Sequence, residues 1–232
     1  IGEEETTSGE KLVDLVKGIV EIQGLKRLRL SSVEPNTITE ELLRVLKDSG
    51  KYQDHFHIPL QSGSNRILKS MRRKYDTDFY REIIKMVKDY FPEASIGADI
   101  IAGYPGETNE EFLETFNFVK ELPITHFHVF PYSKRQNTTA AKMDDHIQNA
   151  LKKDRVKTLI SLGEEKLHQF SEKNIGRDSE VLFEQEKDGH YIGHTSNYLK
   201  VRVKSDKDLK NTIHQVKLTA LNGSKLRGEF LD

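Results

Sequence analysis

Apolar positions along this chain recur at a helical spacing, then at strand spacing, in a repeated order, and the order changes after residue 176. Leu12, Leu15, Val16, Ile19 and Val20 share one face and predict a helix over residues 8–24. Leu25–Leu30 alternates like a strand, and a helix over 39–48 follows, with Thr39 as N-cap and Gly50 as its stop. His55–Leu60 predicts a strand. The helix after it has Ser64 as N-cap and turns Ile67, Leu68 and Met71 inward, and a longer one covers 77–91. Gly97–Ala102 is a short apolar run that stops at Pro105-Gly106. Thr108 then stands three residues before Glu111, the spacing of a capping box, with Phe112, Phe116 and Val119 following at helical spacing. His126–Phe130 reads as one more strand. Strand–helix alternation with a period of roughly 30 residues argues for parallel strands with crossover helices. The carboxyl ends of such strands carry polar or glycine-bearing loops, where these folds place their sites.

Residues 135–142 read as a polar loop, and a long amphipathic helix is expected over 144–174, with Gly176 as its stop. Beyond it, Glu180–Glu184, Tyr191–His194, Tyr198–Val203 and Gln215–Thr219 are short strand-like pieces, separated by turns such as Lys187-Asp188-Gly189 and Asn222-Gly223. This predicts a small β-barrel of roughly 55 residues. The expected organisation is therefore an α/β part over 1–142, a connecting amphipathic helix over 143–176, and a β-barrel over 177–232.

Charge is balanced, with 36 basic against 37 acidic residues, so no global field points to nucleic acid, although a local patch remains open. No run of about 18 apolar residues occurs, so no membrane span is expected. The first residues carry neither a start methionine nor a signal-peptide pattern, from which a cytoplasmic piece of something longer is expected. The chain has no cysteine, which excludes disulfides and thiolate metal sites within it.

Candidate chemistry gathers at the strand ends. His55 and His57 flank Phe56 and share a face, as do His126 and His128; metal ligation, acid–base work and packing are all open to them. Gln61-Ser62-Gly63-Ser64 offers small hydrogen-bonding groups suited to a nucleoside-like ligand. Gly103 and Gly106 allow backbone to approach a ligand. Asp99, in a strand of Ile, Ala and Gly, should be paired or should meet a polar ligand, because burying a lone carboxylate is costly. Glu34 is a possible ligand contact, and Arg73 a carboxylate or phosphate partner. In the last segment, Lys200, Arg202 and Lys204 share one strand face, with Tyr191, His194 and Tyr198 near in sequence. Basic groups beside aromatics suit RNA, and a merely solvated strand face is the alternative that these residues alone favour.

Several stretches, in order, resemble the radical S-adenosylmethionine (SAM) methylthiotransferases. They are Ser31–Pro35, His57–Ser64 with Leu68–Tyr75, Gly97–Thr108 and His128–Ser133. Ser31-Ser32-Val33-Glu34-Pro35 looks most like the branch acting on threonylcarbamoyladenosine at position 37 of the tRNA anticodon loop. The isopentenyladenosine and ribosomal-protein branches, and a non-catalytic RNA-binding module, are the alternatives. Residues 177–232, with His194–Tyr198 and Gly228-Glu229, look like the family's TRAM barrel, an OB-like fold. The resemblance implies a partial (β/α) radical-SAM barrel, TIM-like, with SAM across the strands' carboxyl ends. It places Gln61, Ser62 and Asp99 on the SAM and substrate side and Phe130 and Pro131 near the adenine, with Glu34 and Arg73 as weaker assignments. Lys200, Arg202, Lys204 and Tyr198 would meet RNA. The family's chemistry uses two [4Fe-4S] clusters held by cysteines, and none are here. The chain is expected to be a fragment that is inactive alone.

Overall fold

The computed structural model describes residues 11–231. It falls into two compact units: residues to Tyr52 with Phe56–Glu164, and Gln53–His55 with Glu165 onward.

In the first unit, α1 (Leu12–Val20), α2 (Glu40–Asp48), α3 (Asn65–Ser70), α4 (Thr77–Tyr90) and α5 (Asn109–Glu121) accompany a three-stranded sheet. Its strands are β1 (His55–His57), β2 (Ser95–Ala102) and β3 (His126–Pro131), in that order. The part of the first predicted helix over 8–10 lies outside the described residues. β2 and β3 run parallel, in the register Asp99↔His128 and Ile101↔Phe130. Alternate residues of β2, namely Ile96, Ala98, Ile100 and Ala102, are fully buried in a core with Leu43 and Leu46 of α2, Ile84 and Val87 of α4 and Val119 of α5. The pleat therefore turns Gly97, Asp99 and Ile101 to the sheet's other face.

Helix starts follow their caps. Thr39 accepts from the Leu42 amide, Asp76 from the Phe79 amide, and Thr108 and Glu111 form a reciprocal capping box. Ser64 occupies the N-cap position of α3, but its side chain makes no capping bond.

Two predicted strands are shorter than expected. Leu25–Leu30 contributes only an isolated parallel bridge, Leu28↔Tyr52. The strand predicted over His55–Leu60 is regular only over His55–His57. Beyond it the Ile58 and Leu60 amides still donate to the Gly97 and Asp99 carbonyls of β2, but the Ile58 carbonyl accepts from a tyrosine hydroxyl and Gln61, at φ +70°, leaves the extended conformation. The bridge Gln61↔Ile100 follows along this edge. Two buried tyrosines hold the interrupted segment. The hydroxyl of Tyr80 donates to the Ile58 carbonyl at 2.8 Å, and that of Tyr75 reaches the Pro59 and Leu60 carbonyls at 3.2 and 3.1 Å. Burial raises both phenols' pKa values.

The long helix α6 spans Asn149–Glu172, starting five residues later than predicted. Residues 144–148 are held instead in an irregular segment, in which the Asp145 carbonyl accepts from the Gly106 amide. In the second unit, Gly176 at φ +86° ends the helical region. Strands β4 (Asp178–Lys187), β5 (His190–Thr195), β6 (Lys200–Lys204), β7 (Thr212–Asn222) and β8 (Lys225–Phe230) then close a barrel in the order β4-β5-β6-β8-β7. A parallel pairing of β6 with β8 completes the ring. Val181, Phe183, Val201, Val203, Val216, Leu218 and Leu226 fill it. β8 has no counterpart among the predicted strands, since its sequence, KLRGEF, holds one buried apolar residue among charges and a glycine.

Among the described residues, no helix is long and apolar enough to cross a membrane.

Candidate functional site

The face of the sheet turned away from the helices carries a polar cluster. His57 ends β1, Asp99 lies midway along β2, and His128 is the register partner of Asp99 on β3. His57 Nε2 lies 2.9 Å from Asp99 Oδ1, and His128 Nδ1 lies 3.5 Å from the same oxygen. The two imidazoles meet edge to face, with ring centroids 4.8 Å apart. Asp99 is thus paired, as a carboxylate in an apolar strand must be. Exposure rises across the cluster: the side chain of His57 is 13 % exposed, that of Asp99 23 %, and that of His128 49 %. His126, two residues earlier, is engaged by the Thr125 hydroxyl at 2.9 Å. Two residues later the Phe130 ring stands half in solvent. Pro131 pairs in register with Ala102, on the opposite pleat from Phe130.

Gln61 borders this face. It adopts φ +70°, an uncommon conformation for a residue with a side chain. Its amide donates to the Asp99 carbonyl at 2.8 Å, and its own carbonyl accepts from Ile101 at 2.9 Å. Backbone bonds to β2 on both sides hold that geometry. Ser62 is placed differently. It is fully buried, with its hydroxyl 3.2 Å from Thr115 Oγ1 on α5. Thr115 Oγ1 also accepts from the Gly63 amide, and Ser62 Oγ from the Ser64 amide. Ser62 therefore fastens the loop to α5. Glu34 and Arg73 are brought together, Nη1 to Oε1 at 3.4 Å.

The glycine loop after β2 is occupied by the chain itself. Gly103 and Gly106 both have φ +74°. A Cβ on Gly103 would overlap the Lys152 side chain, so the close approach this glycine allows is to α6 rather than to a ligand. Glu107 Oε2 accepts from the Gly103 amide at 2.8 Å and from Arg155 Nη1 at 2.5 Å, both side chains being buried. Arg155 also donates to Asn109 Oδ1. Arg66 pairs with Glu111 and donates to the Gly106 carbonyl, and the pairing lowers the Glu111 pKa. Arg155 does not stand out as a site residue in the sequence. It sits among the many charges of α6, and only its burial distinguishes it.

On the barrel, Lys200, Arg202 and Lys204 are exposed while Val201 and Val203 point inward. The β6–β8 register sets Arg227 beside Arg202, with Glu229 on the same face of β8 lying 3.3 Å from Arg227 Nη2. Tyr198, half exposed at φ +63°, stacks on His194 with centroids 4.7 Å apart and planes 14° from parallel. His194 Nδ1 in turn lies 2.6 Å from Glu184. Tyr191 does not join them. It is buried and its hydroxyl donates to Asp208.

Residues 1–119 match the model of the radical SAM superfamily. The chain belongs to that superfamily. It is 39 % identical over 215 residues to the threonylcarbamoyladenosine tRNA methylthiotransferase MtaB of Bacillus subtilis (strain 168), covering 90 % of this chain and 48 % of that protein. It is 36 % identical over 215 residues to the tRNA-2-methylthio-N(6)-dimethylallyladenosine synthase of Thermoanaerobacter sp. (strain X514), covering 91 % and 46 %. The chain thus spans about half the length of the curated relatives it matches. The radical SAM enzyme coproporphyrinogen III oxidase of Escherichia coli shares the fold, with a TM-score of 0.52 at 17 % identity, over 89 % of this chain and 52 % of that one. Membership of the radical SAM superfamily implies SAM and an iron–sulfur cluster. A thiolate-held cluster does not fit these 232 residues, because none of them is cysteine.

Proposed function

We propose that this chain supplies one wall of the SAM and substrate cavity, together with the RNA-binding barrel, of a tRNA methylthiotransferase acting at C2 of N6-threonylcarbamoyladenosine. The observation that carries the reading is the open sheet face, with His57, Asp99 and His128 in one row across the strands and Phe130 two residues further along β3 on the same face, in a chain 39 % identical to a methylthiotransferase of that substrate. A half-exposed ring beside a carboxylate suits a ligand with both a purine and hydroxyl or amino groups, which SAM and the target nucleoside each have. SAM, when bound, would supply the radical and the methyl group. Phe130 would stack on its adenine, Asp99 and Gln61 would orient polar groups, and Pro131 would border the ring. Ser62 serves by holding the loop that carries Gln61, and the Glu34–Arg73 pair by steadying the neighbouring strand ends.

The second unit is read as a TRAM-type barrel for the anticodon loop. The strip of Lys200, Arg202 and Lys204, with Arg227 beside Arg202, offers phosphate contacts, and the exposed part of the Tyr198 ring, which is stacked on both His194 and His55, offers an aromatic contact for a base. With no cysteine, these 232 residues by themselves are expected to perform no methylthio transfer.

The test is nucleoside analysis of tRNA from cells in which the gene encoding this chain is disrupted. The expected result is loss of the 2-methylthio group from N6-threonylcarbamoyladenosine, with the methylthio isopentenyl nucleoside unchanged. The reverse pattern would move the chain to the isopentenyladenosine branch. No change in either nucleoside would leave a protein substrate or a non-catalytic RNA-binding role.

A further inference from the structure

The cluster on the open face has the composition and geometry of a metal site. Its three donor atoms, two imidazole nitrogens and one carboxylate oxygen, all lie within 4.8 Å of one another. Both imidazole nitrogens converge on the same carboxylate oxygen rather than one on each. A divalent ion with ligands at about 2.0–2.2 Å sits between donors of this spacing with only small side-chain rotations. The backbone is already set: the three residues come from three successive strands, with Asp99 and His128 fixed opposite each other in register. Two imidazoles with one carboxylate suit zinc, iron, cobalt, nickel or manganese, whereas calcium and magnesium prefer all-oxygen shells.

We propose that His57, Asp99 and His128 bind one divalent first-row transition cation. The protein supplies three ligands from the sheet, and the half-exposed position of His128 leaves the outer coordination positions open to water or to a donor atom of a bound molecule. This goes beyond the reading of the chain as a methylthiotransferase component, and it concerns neither the iron–sulfur clusters nor their cysteines.

The chain, stripped with a chelator and free of SAM and RNA, is titrated with Co2+ and followed by visible d–d absorption; Zn2+ then displaces the Co2+ and the binding heat is measured. One saturable equivalent is expected, together with a rise in melting temperature. His128→Ala and Asp99→Asn should each weaken binding at least tenfold and remove the rise. His128 is half in solvent, so its alanine variant should fold like the wild type, which an unchanged melting temperature without metal would verify. His168→Ala, on the exposed side of α6, should bind as the wild type does. Absence of a saturable equivalent, or binding unaffected by His128→Ala, overturns the proposal. Because no RNA or SAM is present, failure here leaves the nucleoside test untouched.

Discussion

Arg155 Nη1 donates to Glu107 Oε2 at 2.5 Å, with both side chains out of solvent, and this contact joins α6 to the loop that follows β2. The same carboxylate oxygen accepts from the Gly103 amide. A glycine turn that looks from sequence like a ligand cradle is therefore closed by an ion pair from within the chain. Removing the guanidinium would strand a buried carboxylate. Arg155→Ala should destabilise the first unit by about 3–5 kcal/mol, read as a lower denaturation midpoint at unchanged slope. A loss below about 1 kcal/mol, the range of exposed pairs, would show that water reaches Glu107 and that the pair is not a lock.

The pH dependence has a definite sign. Burial pushes the Glu107 carboxyl above its ordinary value, against the lowering exerted by the Gly103 amide and Arg155. The folded state then binds this proton more tightly than the unfolded state does. Its contribution is full below the ordinary carboxylate pKa and declines as pH rises through the raised value. Against a Glu107→Gln variant, the wild type should lose relative stability as pH increases from the mildly acidic range to neutrality. A wild-type advantage that grows with pH would mean that Arg155 outweighs burial.

Gly63 is a packing requirement. A Cβ there would lie 2.7 Å from the Thr115 Cα and 2.9 Å from the Phe118 Cβ, so backbone must move to admit it. Gly63→Ala should cost about 1–3 kcal/mol through overpacking and should loosen the loop carrying Gln61. Hydrogen exchange at the Gly63 amide, which donates to Thr115 Oγ1, reports that loosening directly. An alanine variant as stable as the wild type, with unchanged exchange, would show that α5 yields at no cost.

What sequence reading reaches follows from what writes itself into local pattern. The helix caps at Thr39, Thr108 and Glu111, the stop at Gly176 and the alternation of Lys200 to Lys204 are local, and the structure has them. The end of β1 at His57 and the single bridge of Leu28 depend on which backbone groups a neighbour offers, and the apolar pattern does not report that. The site shows the same division. Asp99 stands out because it interrupts an apolar strand, and His57 and His128 because they alternate. That these three converge needs the register of β2 with β3 and the position of β1, which are long-range properties. Ser62 and Arg155 are the converse cases: their chemistry suggests a ligand or a solvated surface, and burial assigns them to holding the loops.

The basic strip makes a salt-dependence prediction. Lys200, Arg202 and Lys204 are exposed on β6, and Arg227, which also pairs with Glu229, stands beside Arg202 across the β6–β8 pairing. Removing one cation from a phosphate should flatten the plot of log affinity against log salt by roughly 0.7 for single-stranded RNA. Alanine at all four positions should weaken binding of an anticodon stem-loop and reduce that slope by roughly 2–3. Tyr198→Ala should weaken binding with the slope kept, since stacking releases no counterions. A slope unchanged in the fourfold variant would mean that this face is merely solvated.

Asp99 separates charge from packing most cleanly. Its carboxylate holds His57 at 2.9 Å and faces His128 at 3.5 Å, on the face where the ligand is proposed to lie. Asp99→Asn keeps the size of the side chain and leaves its oxygen able to accept one bond, but removes the negative charge. If the charge orients the substrate or SAM, or holds a cation that does so, methylthio transfer in cells carrying the variant gene should fall at least tenfold. That is about 1.4 kcal/mol or more in barrier. The side chain is partly open, so melting temperature should move by only a few degrees. Measuring both quantities, with Asp99→Glu as the charge-preserving comparison, gives each outcome a meaning. Transfer undiminished in Asp99→Asn would show that the charge is idle. A parallel collapse of stability and transfer would make Asp99 a structural partner of the two histidines. Loss of transfer in Asp99→Asn at near-normal stability, with partial recovery in Asp99→Glu, is the pattern expected of a charge that acts on what binds there.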